Sequence, residues 1–326
     1  MTNQNQNLNK NIKFQLCRQR KKIWLFSILL SLLSLTGLVA SSISPSIGYP
    51  LRPGLEFTGG SQIILERDCT NSCSNLSSES VTNFLNNIPD IKSGNLAFPS
   101  LSGAKVQVLD NSKSILLRLP FLTANQSEIV VKGISNEFGP FLPSSISIDT
   151  IGPTLVKRLL RSSLFSLLAS FVGIALYINF RYDKRFSFLA LLALVHDELI
   201  VCGLFSWLGI INNVEVDSLF AVSLLTIAGY SVYNTVVVFD RIRERSRIDN
   251  NLELYDQIDN AVNATFTRTI YTSLTTLFPL LCILIWGGSS LYWFSIALSL
   301  GVIVGSWSSI ALAPSLLSLS NAQKKS

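Results

Sequence analysis

The stretch Ile227-Ala-Gly-Tyr-Ser-Val-Tyr-Asn-Thr-Val-Val-Val-Phe-Asp-Arg-Ile-Arg-Glu244 decides the class of this chain. It closes an apolar run, Val214–Phe239, and breaks at once into a charged cluster. At about 1.5 Å per residue such a run crosses a ~30 Å hydrocarbon core. Inside it Ser223, Ser231, Asn234 and Thr235 form a polar stripe, the last three at i, i+3 and i+4. Polar groups cost free energy in lipid, so the stripe is expected to face other helices or a wet path.

Working outward, the composition agrees with a membrane chain. Only 14% of the 326 residues are charged, there is a single histidine, and the mean hydropathy is +0.41; few soluble proteins are this apolar. Six spans are expected: Ile23–Ile43, Leu159–Phe180, Phe186–Ile211, Val214–Phe239, Thr269–Gly287 and Leu291–Leu316. The first is longer than a secretory signal core and reads as a retained anchor. Lys10, Lys13, Arg18, Arg20, Lys21 and Lys22 precede it. Arg181, Lys184 and Arg185 follow the second span, Arg241, Arg243, Arg245 and Arg247 the fourth, and Lys324 and Lys325 end the chain. Positive charge marks the cytoplasmic side, so both termini are expected there. The net charge of +6 then follows from topology, and no basic groove with interleaved aromatics points to nucleic acid. Cys202 and Cys282 fall within spans, Cys17 is cytoplasmic, and Cys69 and Cys73 face the oxidising side, where they either pair across a short loop or stay free.

The reading is a polytopic α-helical membrane protein with six transmembrane helices and one extracytoplasmic α+β ferredoxin-like domain. A cytoplasmic tail (1–22) leads into the first helix (23–43); the external domain (44–154) follows, then a five-helix bundle (155–316) and a short tail (317–326). Within the domain, Ser61–Glu66, Lys105–Leu109 and Ile115–Leu119 read as strands, and Ile146 and Ile148 alternate with Ser in a last one. Val81, Phe84, Leu85 and Ile88 recur at helical spacing after a Ser77 or Ser78 cap, with Pro89 as the stop. Asn125-x-x-Glu128 looks like a capping box for a second helix ending at Gly139-Pro140. The order strand, helix, strand, strand, helix, strand is that of a split βαβ module, a fold that by itself says little about function. Before it, Phe57-Thr58-Gly59-Gly60 follows Glu56 after a short extended piece; its two glycines suit a tight turn or a close backbone approach.

Charge inside the spans is the functional signal. His196, Asp197 and Glu198 lie within the third span, where each ionisable group costs at least ~2.5–3.5 kcal/mol. Successive helical positions point about 100° apart, so the three do not share one face. Arg268 is the expected partner, at the start of the fifth span, with Thr272, Thr275 and Pro279 as a second polar stripe and kink. One reading is a salt bridge that holds spans together; the other is a narrow hydrated path along which a carboxylate changes its pairing with the arginine as it titrates. The Asp240-Arg241-Ile-Arg-Glu244 cluster reads as a solvated, orientation-setting face, and Gly301-x-x-x-Gly305 as a packing surface.

In order, Phe57-Thr58-Gly59-Gly60, Ile151-Gly-Pro, His196-Asp197, Gly229-Tyr230-Ser231, Asp240–Glu244 and Arg268-Thr269 resemble the pattern of the SecF family of bacterial protein-export membrane proteins, a relative of the RND export pumps. The resemblance implies a place in the bacterial inner (plasma) membrane, or in thylakoids in a photosynthetic source. It implies SecD as partner, beside the SecYEG channel with SecA, with YajC and YidC as further candidates. Preproteins would be the substrate, membrane lipids the surroundings and the proton-motive force the drive. It implies no cofactor and no metal. Arg268 matches the functional arginine of the family, whose usual aspartate falls at Asn234. An amide does not titrate, and Glu198 is also unusual for the family. Either Glu198 or Asp197 takes over the titrating role, or SecD supplies the carboxylate and this chain Arg268, or the subunit relays no proton; the second asks for no relocated geometry. Half of a small-molecule export pump and a passive scaffold are the competing functions. An enzyme is not expected: no Walker motif, metal-spaced cluster or triad is present.

Overall fold

The computed structural model describes residues 15–45, 47–67, 76–86, 99, 101, 104–109, 112–248 and 252–319. The chain divides into two compact units, Pro53–Ser162 and the remainder, Met1–Arg52 with Ser163–Ser326. Among the described residues, six helices are long and apolar enough to cross a membrane. They are Arg20–Ile43, Pro153–Arg181, Lys184–Ile211, Ser218–Ile248, Leu254–Trp286, and a sixth that begins as Ser289–Trp307. The sixth continues through a π-helical segment, Ser308–Leu312, into Ala313–Leu317.

Several helix boundaries differ from the sequence reading, and two of them bear on the site. The fourth span starts at Ser218, not Val214, because the Asp217 carboxylate accepts the Phe220 N–H at 3.0 Å and caps the helix there. The Val216 N–H before it donates to the Arg52 carbonyl at 2.9 Å. The fifth helix begins at Leu254 rather than Thr269, which moves Arg268 from its expected place at the start to well inside the helix.

The third span is enclosed on more than one side, which explains how His196, Asp197 and Glu198 are all buried although they point in different directions. Gly203 sits against Ser34 of the first span so closely that a Cβ would overlap it, and the Ser206 hydroxyl donates to the Gly37 carbonyl at 2.8 Å. Across the bundle, Gly301 of the sixth span lies where a Cβ would collide with Ile227 of the fourth. Small residues allow this approach, and in lipid such packing replaces the hydrophobic effect as the force between helices. By contrast the second span is the least enclosed, with 6% of its most apolar window buried against 61% for the sixth.

The smaller unit contains four strands, β1 (Gly60–Glu66), β2 (Lys105–Leu109), β3 (Ser114–Leu119) and β4 (Ser147–Ile151). They pair in the order β2-β3-β1-β4, each antiparallel to its neighbour. Helix α1 (Ser78–Asn86) falls between β1 and β2, and α2 (Ala124–Phe138) between β3 and β4. Ile63, Leu65, Ile115, Leu117, Val81, Leu85, Val130 and Ile134 make the core between sheet and helices. Ser77 accepts the Glu79 N–H at 3.2 Å at the start of α1. At α2 the cap is Thr123 with Gln126, whose Oε1 accepts the Thr123 N–H at 2.8 Å, so the expected Asn125–Glu128 box is displaced by two residues. Glu128 instead pairs with Lys132 at 2.7 Å, which lowers its carboxyl pKa. The piece before the glycines is a helical turn, Leu55–Thr58, not extended, because Gly59 N–H and Thr58 Oγ1 return to the Leu55 and Gly54 carbonyls at 2.7 and 3.0 Å. Gly59 and Gly60 then take φ of 72° and 114°, and a Cβ on Gly60 would strike the Leu119 carbonyl oxygen. Only glycine combines that conformation with that approach. Cys69, Cys73, Ile88 and Pro89 lie outside the described residues.

Candidate functional site

Three helices converge on one carboxyl group. Asp197 of the third span is 0% exposed. Its Oδ2 accepts the Ser231 hydroxyl from the fourth span and the Ser308 hydroxyl from the sixth, both at 2.6 Å. Its Oδ1 lies 3.0 Å from His196 Nδ1. A carboxyl group with three polar neighbours is well satisfied, which is the condition for keeping such a group in an apolar bundle. Ser231 belongs to the polar stripe of the opening stretch, and Ser223, Asn234 and Thr235 of that stripe are buried with it.

Ser308 opens the π-helical segment, and such wide turns often mark functional places in helices. The extra residue rotates the next positions of the helix: Ser309 reaches Thr235 at 3.1 Å and donates to the Gly305 carbonyl at 2.6 Å. A Cβ on Gly305 would stand in ordinary contact with Ser231 and 3.6 Å from Asp197 Oδ2. Of the glycine pair read as a packing surface, Gly301 is the one whose close approach requires glycine.

A second hydroxyl cluster ties the fourth, fifth and sixth spans together. The Tyr230 hydroxyl donates to Ser273 at 2.8 Å, and Ser273 and Ser306 lie 2.6 Å apart. Ser273, Ser306, Ser308 and Ser309 were not singled out from the sequence. Ser306-Trp-Ser-Ser309 in an otherwise apolar helix was the available signal.

Arg268 does not join Asp197, against expectation. It is exposed on the outer face of the fifth span, where its Nη2 donates to the Tyr233 hydroxyl at 3.2 Å. Among the described residues no carboxylate lies within salt-bridge distance of it. The reason is helical phase. Thr265, Thr269 and Ser273 occupy the inward face of that helix, whereas Thr275 shares the outward side with Arg268. Thr272 and Thr275 satisfy their own hydroxyls on the helix backbone, at Arg268 O and Tyr271 O. The second stripe therefore forms no path to Asp197 within this chain.

The remaining candidates divide clearly. Buried among the described residues, Asn234 Nδ2, His196 Nε2 and both Glu198 carboxyl oxygens have no hydrogen-bond partner. Gly229 has open space where a Cβ would stand. Asp240 pairs with Arg181 at 3.5 Å and Arg241 with Glu244 at 2.6 Å, away from the buried carboxyl group. Beside the first pair, burial and then the Asp240 carboxylate push the Tyr182 phenol above its ordinary pKa. Phe57, Thr58, Gly59 and Gly60 belong to the smaller unit. No three His, Cys, Asp or Glu side chains among the described residues group as a metal ion would need.

Comparison with known proteins gives a consistent picture. The profile of the protein export membrane protein SecD/SecF, C-terminal family matches residues 130–323, and that of the SecD/SecF GG motif matches residues 46–70. A protein translocase subunit SecF from Prochlorococcus marinus is 52% identical over 96% of this chain and 97% of its own length. One from Synechocystis sp. is 38% identical over 94% and 93%. A crystal structure of SecDF from Thermus thermophilus, described as a translocon-associated membrane protein, superposes with a TM-score of 0.74 at 28% identity. It covers 95% of this chain, which spans 39% of that longer one.

Proposed function

Because the chain belongs to the SecD/SecF family of protein-export membrane proteins, and so to the accessory subunits of the Sec translocase, we propose that it works with SecD to move preproteins across the membrane at the expense of the proton-motive force. The single observation that carries this reading is the separation of its two intramembrane charges. Asp197 is enclosed by hydroxyls and His196, while Arg268 stands on an exposed helix face where, among the described residues, it donates to Tyr233 alone.

An exposed guanidinium within a membrane span is costly unless a neighbour accepts its hydrogen bonds. We assign that neighbour to a carboxylate of SecD. The fusion of SecD and SecF segments in the Thermus thermophilus relative, of which this chain matches 34%, supports such an arrangement. In this scheme proton binding by the partner's carboxylate releases Arg268, and the change in pairing drives the motion. Asn234 cannot titrate, and its buried Nδ2 has no hydrogen-bond partner among the described residues. Asp197 serves as the internal carboxyl group whose partners on the fourth and sixth spans move together. Both termini lie in the cytoplasm, and the four-stranded unit is an external ferredoxin-like domain. Its strand order and antiparallel pairing support that reading.

The test is pulse-chase export of a secreted precursor in cells whose sole copy carries Arg268→Gln or Asp197→Asn. Slowed maturation with Arg268→Gln, at normal protein level, is expected. Normal maturation with both variants would sink the proton-coupled role and leave a passive support of the complex.

A further inference from the structure

One face of the bundle carries a groove that the proposed pairing does not use. It runs between the first, fifth and sixth spans, with a cavity volume of 530 Å³. Its walls are Ile23, Phe266, Ile270, Leu274, Ile303 and Trp307, and the edge-to-face contact of Phe26 with Trp307, 5.4 Å between ring centres, closes one rim. Along the fifth span the lining extends from Val262 to Leu277, which at about 1.5 Å per residue is ~22 Å. That exceeds half of a ~30 Å hydrocarbon core, the reach of one leaflet.

The groove ends where charge begins. Gln15 borders both it and a second cavity of 480 Å³, which Cys17, Arg18, Arg20, Lys21, Tyr255, Asp256 and Asp259 also line. Asp259 is buried and accepts the Cys17 N–H at 3.0 Å, and Arg20 is held by the Tyr255 hydroxyl at 3.0 Å. Arg18 and Lys21 are exposed, and among the described residues Arg18 donates to neutral Gln15 at 3.3 Å. The mouth therefore presents Arg18, Arg20 and Lys21 against two carboxylates, half-buried Asp256 and buried Asp259.

We propose that an anionic phospholipid occupies this groove, an acyl chain against Trp307 and its phosphate at Arg18 and Lys21. The site accounts for an apolar channel and a cationic mouth that meet at one residue. It does not depend on how Arg268 or Asp197 works.

The experiment uses the full chain in nanodiscs with a few per cent of brominated phospholipid, which quenches nearby tryptophan. The Trp307 contribution is the difference from Trp307→Phe. Brominated phosphatidylglycerol is expected to quench it more than brominated phosphatidylcholine at equal mole fraction. The preference should fall about fivefold for each cation removed in Arg18→Gln and Lys21→Gln, the usual strength of a basic residue at an anionic surface. Both residues are exposed, so neither change threatens the fold, and inorganic phosphate should not compete. Equal quenching by the two lipids would overturn the proposal. So would competition by phosphate, or a Trp307 that neither lipid quenches. An export defect plays no part in the readout, so failure here leaves the proton-coupled reading standing.

Discussion

Asp197 and Arg268 are both charged residues within spanning helices, and they are built in opposite ways. Asp197 is sealed among three helices, its oxygens matched by Ser231, Ser308 and His196. Arg268 stands outside the bundle, matched by one phenol from a residue that is itself half exposed. The difference teaches that opposite charges in one helical bundle are no evidence of a pair. Helical phase decides which face each occupies, and two hydroxyls and an imidazole can satisfy a carboxyl group without an arginine.

The largest effect should come from removing the enclosed group. Asp197→Leu leaves the Ser231 hydroxyl without its acceptor in an apolar bundle, and leaves Ser308 its longer bond to the Gly305 carbonyl at 3.2 Å. A loss of about 3 kcal/mol of unfolding free energy is expected, since donors stranded in a protein interior cost about 1–3 kcal/mol each. Unfolding of the isolated chain in mixed micelles measures it. A loss under about 1 kcal/mol, the lower end of that range, would mean that the bundle relaxes around the site and that the enclosure is not what holds it together.

The next effect comes from a position that touches neither charge. In Gly301→Ala the new methyl group meets Ile227, so the fourth and sixth spans must separate or shift. Overpacking of this kind costs about 1–3 kcal/mol, and here it should also draw Ser308 away from Asp197. A cysteine pair placed at Ser231 and Ser308 would report the separation through slower crosslinking. Unchanged crosslinking would show that register is set elsewhere.

Smaller still is Ser308→Ala, which removes one donor. Membrane hydrogen bonds average ~0.6 kcal/mol and reach ~1.7, so a loss of about 1 kcal/mol is expected. Combined with Asp197→Asn in a double-mutant cycle, the two changes should fall short of additivity. Strict additivity would mean the 2.6 Å contact contributes nothing.

How much of this could be read beforehand depends on what each feature requires. Spans and strands arise from runs of residues within one segment, so β2 was placed at Lys105–Leu109 without correction. The cap of α2 slipped by two residues because Thr123–Gln126 and Asn125–Glu128 offer the same chemistry, and only backbone geometry selects between them. Asp197, His196 and Ser231 were visible as polar residues in apolar helices. Ser308 was not, because its role arises from a π-helical turn that no periodicity announces. Arg268 was noticed and wrongly paired, because the rotation of the fifth helix depends on packing by Ser273 and Thr269 rather than on the arginine itself.

The smallest effect on the isolated chain separates the two designs most sharply. Arg268→Gln removes an exposed cation whose one partner among the described residues is neutral, so the stability of the chain alone should change by no more than about 0.5 kcal/mol. A slight gain is also consistent, since a charge facing lipid is a cost in the first place. The same substitution should weaken co-purification with SecD severalfold, because the SecD carboxylate proposed to meet Arg268 would then be left unpaired across the subunit boundary. If instead the isolated chain loses as much as it does with Ser308→Ala, Arg268 belongs to the internal scaffold and the outward face is no interface. If both stability and association stay unchanged while export slows, the arginine acts on protons or preprotein without holding the partner. That would move the coupling from subunit pairing to the exposed face of the fifth span itself.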